Sequence, residues 1–137
     1  MIEPEFITHD FKLPSHANEI SHANDRYSKL KTIFNKHKKN STLTDDEFIN
    51  LYEDIIRVLD YVGNLSKPAY NVQKELEELY KYKYLHAPQL GKTLWLNHYS
   101  KIHHPYNLIK NRCFILLEEL DKYYISMYDK LPPNWKP

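Results

Sequence analysis

The residues best equipped for chemistry lie between Tyr80 and Cys113. His98, His103 and His104 precede the single cysteine, Cys113, along one stretch of chain. A zinc site needs about four nitrogen or sulfur ligands at a recurring spacing. Here there is no second cysteine, and no acidic residue stands near these histidines to complete a Glu-x-x-His or His-Glu-x-x-His set. The reading is therefore of hydrogen-bonded or surface histidines, with no metal and no cofactor. Cys113 sits in the apolar run Cys113-Phe114-Ile115-Leu116-Leu117. A nucleophilic thiolate needs an electropositive, accessible setting, so this thiol reads as buried and inert.

Other catalytic devices are missing as well. Two glycines in 137 residues leave no glycine-rich loop to cradle a phosphate. None of Arg26, Arg57 and Arg112 has a histidine a few residues on, a pairing that small helical ribonucleases use. No catalytic residue is assigned, and an enzyme is not expected.

The same region carries the strongest electrostatic signal. No acidic residue occurs between Glu78 and Glu118, while Lys81, Lys83, Lys92, Lys101, Lys110 and Arg112 lie inside that window. Its formal charge is +6, which leaves −5 for the rest of a chain of net charge +1. Aromatics are interleaved with these bases, most densely in Tyr80-Lys81-Tyr82-Lys83-Tyr84. Charges beside flat rings suit an anionic partner. The leading expectation is a small non-enzymatic module that binds another protein through residues 79–117, in the manner of an inhibitor, an antitoxin or immunity-type protein, or a small subunit of a larger complex. Its expected contacts are Tyr82, Lys83, Trp95, Tyr99, Lys101 and Trp135, facing an acidic surface. The alternative is a nucleic-acid interface built from Lys81, Lys83, Lys92, Lys101, Lys110 and Arg112, although so small a net charge is unusual for a dedicated binder. The bland reading of the window is that it folds against acidic helices and is neutralised there. The twelve tyrosines fit interface use, and an AT-rich coding sequence would produce them too.

These residues must be positioned by helices. Scarce glycine argues against hairpins and bulged sheets. Tyr106, Ile109, Cys113, Leu116, Leu120, Tyr123 and Met127 recur at alternating spacings of three and four, one stripe of a helix. Phe114, Leu117, Tyr124 and Tyr128 widen it, and the five-residue apolar run predicts burial on every side. Pro105 suits the first turn of this helix, and Pro132 and Pro133 stop it. The stripe would serve a neighbouring helix of the same chain or a second copy of it.

Upstream, Ile20, Ala23, Tyr27, Leu30 and Phe34, broadened by Ile33, predict a helix to about Lys39. Thr44-Asp45-Asp46-Glu47 reads as a capping box, with Leu43 able to staple onto Phe48. The second helix should then run to Gly63, a natural left-handed C′ residue. Ser66 and Pro68 look like the cap and first turn of a third helix that ends before Pro88. Leu90, Leu94, Trp95, His98, Tyr99 and Ile102 predict a short fourth.

The expected fold is all-α: one domain over residues 1–137, a bundle of about four to five helices with an extended arm at 1–14 and a proline-rich tail at 131–137. No apolar run is long enough to cross a membrane, and the N-terminus lacks the basic and apolar regions of a secretory signal. A cytoplasmic location and no membrane partner are expected.

Overall fold

The computed structural model describes residues 16–133. The expected arm at 1–14, the end of the tail and Trp135 lie outside the described residues. Those described form helices only: α1 (Ala17–Asn40), α2 (Asp45–Asn71), α3 (Gln73–Lys83) and α4 (Pro88–Tyr128). The all-α class holds. The count of four to five helices is corrected to three rods, the second interrupted at Val72 into α2 and α3.

Two proline misreadings produced the higher count. Pro68 lies inside α2 and Pro105 inside α4. An interior proline removes one backbone hydrogen bond and costs about 3 kcal/mol. Packing outweighs that here. Around Pro68, Ser66, Ala69 and Val72 are all buried. Around Pro105, His103, Tyr106 and Ile109 are buried too. Gly63 is not a C′ residue, since no glycine has a positive φ; α2 runs straight through it. Ser66 does not cap. Its Oγ donates to the Gly63 carbonyl, 3.0 Å away. Pro88 does fall past the end of α3, and it opens α4 at the first turn.

The cap of α2 is half of the expected box. Thr44 Oγ1 accepts from the Glu47 amide at 3.2 Å. The Glu47 carboxylate turns instead to His37 Nδ1, at 2.9 Å, and so ties the start of α2 to the end of α1. Leu43 and Phe48 are both fully buried, as the staple requires. Left-handed residues Ser41 and Asp129 close α1 and α4.

Helix α4 is about 60 Å long by the usual rise per residue, and the rest of the fold is laid along it. Tyr124 donates to Asp45 Oδ1 at 2.5 Å, and Lys110 donates to Ser66 Oγ at 3.1 Å, so α2 runs antiparallel to α4. Arg112 donates to Asn24 Oδ1 at 3.2 Å, and Tyr123 donates to the Lys38 carbonyl at 3.4 Å, so α1 runs parallel to it. The main core joins α1, α2 and the second half of α4. A smaller core of Leu76, Tyr80, Tyr84 and Trp95 joins α3 to the first half. Helix α1 begins beside the middle of α4, where His16 Nδ1 meets Tyr106 Oη at 2.9 Å, and it makes no contact with α3.

The α4 stripe is largely used inside the chain. Tyr106, Ile109, Cys113, Leu116, Leu117, Leu120 and Tyr124 are buried. All-round burial of the apolar run is corrected: Phe114 and Ile115 are more than half exposed. Among the described residues, only α1 and α2 flank this part of α4, which leaves Phe114 and Ile115 on an uncovered side. Ile33 is also exposed and does not broaden the core, while Tyr128 lies at its edge, its ring 4.7 Å from Tyr124 and its hydroxyl donating to the Leu43 carbonyl.

Candidate functional site

The basic, aromatic window maps onto the α3/α4 hairpin and the length of α4 beyond it. Within Tyr80-Lys81-Tyr82-Lys83-Tyr84 the side chains divide by helical geometry. Tyr80 and Tyr84 are buried and stack on each other, 6.2 Å apart with their planes nearly parallel. Tyr82 points away and is 79% exposed. Lys83 covers the Tyr84 ring at 5.8 Å. Lys81 and Lys83 are exposed at the end of α3, and Lys92 is exposed in the second turn of α4.

Where α3 gives way to α4, a pocket of about 340 Å³ opens. Tyr84, Leu85, Pro88 and Trp95 form its apolar walls, with Lys81, Lys92 and Glu77 also lining it. Gly91 sets how closely the two helices meet. A Cβ there would sit 3.0 Å from Tyr84 Cβ and 3.2 Å from the Tyr80 carbonyl oxygen. Among the described residues no ion pair involves Lys81, Lys83 or Lys92. The expected neutralisation of the window by acidic helices is therefore not seen at these three lysines.

The remaining predicted residues are used differently. Trp95 is a wall of the pocket, only 9% exposed, and its ring packs 6.1 Å from Tyr99. Tyr99 is half-buried and turns toward His103 at 4.2 Å; burial raises its hydroxyl pKa above the ordinary value. Lys101 is exposed. Lys110 is tucked over the Tyr70 ring at 4.9 Å and donates to Ser66 Oγ and to Tyr70 Oη. Arg112 serves α1 through Asn24. The structure thus brings Tyr82, Lys83, Lys81, Lys92 and Trp95 to one end of the molecule, leaves Lys101 and Tyr99 midway, and puts Lys110 and Arg112 into intramolecular work.

Two features escaped the sequence reading. The pocket was signalled only by Pro88 and Gly91 close together in a helical pattern. The other is a cluster of tilted rings at the junction of the two cores. His103 is 1% exposed and lies 4.2 Å from both Tyr70 and Tyr99. Neither ring nitrogen has a hydrogen-bond partner of good geometry, although the Ala69 carbonyl is near enough to favour a proton on the ring. Burial dominates and holds the His103 pKa below 6.5, and the Lys110 charge adds to this. His98, bonded to Tyr80 Oη at 3.1 Å, is lowered for the same reason, first by burial and then by Lys101.

Ser66 and Lys110 are near enough to suggest an activated serine. The direction of the bonds opposes it. Lys110 donates to Ser66 Oγ while the hydroxyl donates to Gly63, and Ser66 is fully buried. Burial raises the Cys113 thiol to about 11, far from the range of a reactive thiolate. Among the described residues no group of three histidine, cysteine, aspartate or glutamate side chains could hold a metal ion, and no helix is long and apolar enough to cross a membrane.

No family model matches this chain, and neither a curated protein nor a solved structure matches it. The site must be read from its own chemistry.

Proposed function

We propose that the protein is a non-enzymatic helical binding module whose working end is the α3/α4 hairpin, and that its partner is a protein with an acidic surface. One observation carries the reading. The hairpin extends past the reach of α1 and presents Tyr82, Leu85 and Leu90 to solvent, beside three lysines that make no ion pair among the described residues. Exposed aromatic and aliphatic groups ringed by like charge fit an interface with an apolar centre and a charged rim. The nucleic-acid reading draws less support, because Lys110 and Arg112, two of its six bases, are turned to intramolecular partners.

The test is affinity capture from cells that express the protein, comparing wild type with a Tyr82→Ala, Lys83→Glu, Lys92→Glu variant. Acidic proteins retained by the wild type and lost by the variant are expected. An identical retained set would sink the reading. Fluorescent DNA and RNA oligomers at low and near-physiological salt should show no tight, steeply salt-dependent binding.

A further inference from the structure

The geometry points to the pocket between α3 and α4 as an anchor for an apolar side chain carried next to a carboxylate, the chemistry of an acidic segment on a partner protein. This inference rests on the protein-binding reading and specifies its ligand. At about 340 Å³ the pocket is at the small end of ligand-sized cavities, enough for one bulky side chain and its flanks. Its walls are rings and aliphatic carbons from Tyr84, Trp95, Leu85 and Pro88. These offer dispersion and apolar burial to a leucine- or phenylalanine-sized group. Leu85 is 70% exposed and Leu90 38%, so the apolar surface continues outward where a peptide would enter.

The charges around the pocket set its polarity. Lys81 and Lys92 both line it, and a single carboxylate, Glu77, lines it with them. One ammonium is left over for an incoming anion once Glu77 is counted. Gly91 makes the floor. A Cβ there would stand 3.0 Å from Tyr84 Cβ and 3.2 Å from the Tyr80 carbonyl oxygen, so these neighbours would have to give by a few tenths of an ångström. Trp95, on the pocket wall, is a built-in reporter.

A blocked Leu-Asp-Glu tripeptide, titrated into ¹⁵N-labelled full-length protein, tests the assignment. Saturable shifts are expected for the Trp95 indole N–H and the Gly91 amide. The neutral peptide Leu-Asn-Gln, and the Lys81→Glu, Lys92→Glu protein, should each bind about tenfold more weakly. Ala-Asp-Glu should lose the Trp95 shift. Glu77→Gln should bind severalfold more tightly, the opposite sign. Lys81, Lys92 and Glu77 are exposed, so their variants should fold. No saturable Trp95 shift, or equal binding by the lysine variant, would overturn the pocket assignment. If affinity capture still depended on Tyr82 and Lys83, the binding-module reading would survive that failure. Shifts produced by a short DNA oligomer and not by the tripeptide would overturn both.

Discussion

The rings of Tyr70 and His103 lie 4.2 Å apart, joining the end of α2 to the middle of α4 where the two apolar cores meet. Tyr99 lies at the same distance from the imidazole, and Lys110 stands over Tyr70. A second positive charge in this cluster would be poorly solvated. The fold therefore favours neutral His103, and its pKa is lowered from 6.5, first by burial.

That shift has a definite sign. A histidine whose folded pKa is depressed binds its proton more readily when unfolded, so stability is complete above the unfolded pKa and declines as pH falls from about 6.5 through the lower folded value. His103→Phe should remove this part of the acid sensitivity. Melting temperatures measured from pH 8 to pH 5 should fall less steeply for the variant than for the wild type, while at pH 8 the two should differ by less than about 1.5 kcal/mol. Parallel curves would show that His103 is not the titrating group.

The two glycines should respond to alanine in opposite ways. Both are helical with negative φ, and alanine is favoured over glycine in a helix by about 1 kcal/mol. A Cβ on Gly63 meets nothing within 4 Å, so Gly63→Ala should raise the urea midpoint. A Cβ on Gly91 presses on Tyr84 and on the backbone of Tyr80. Gly91→Ala should lower the midpoint by an amount equivalent to about 1–3 kcal/mol. Stabilisation of both would mean that the hairpin yields easily.

Tyr124 and Asp45 pin the end of α4 to the start of α2. The hydroxyl of Tyr124, fully buried, donates to the carboxylate, and burial together with that negative charge pushes its pKa up to about 12. Tyr124→Phe should destabilise by about 1.5–3 kcal/mol, the usual range for a hydrogen bond to a charged group. In the wild type, absorbance at 295 nm should show a late component, to which Tyr99 and Tyr106 also contribute because burial raises both. In the variant the last part of it, equivalent to one tyrosine, should be gone.

Cys113 should resist modification in the folded state. It is 1% exposed, and burial raises its pKa to about 11. A thiol reagent at pH 8 should label it at least about a hundredfold more slowly than in urea, because both access and thiolate fraction are low. Fast labelling of native protein would require the α4 stripe to open to solvent.

Much of this molecule was legible in the chain. The three-four spacing from Tyr106 to Met127, the Thr44 cap, the apolar faces of the first two helices and the purely helical character of the described residues are local properties, and local physics governs them. Periodicity fixes which side of a helix is apolar, and a cap is satisfied within a few residues. The charge division was equally plain, because it is a count. What the chain did not show is how many neighbours each helix would have. Phe114 and Ile115 are apolar in the sequence but exposed in the fold, since among the described residues no third helix reaches that side of α4. Pro68 and Pro105 read as boundaries, yet contacts made by residues distant in sequence hold α2 and α4 together through them. The ring cluster at His103 and the pocket at Gly91 depend on α3 and α4 folding back on each other, and their contributing residues are ordinary when read singly. Sequence determined the helices and the sign of their charges. Tertiary packing decided which lysines would be tied down by neighbours and which would remain available beside an open pocket.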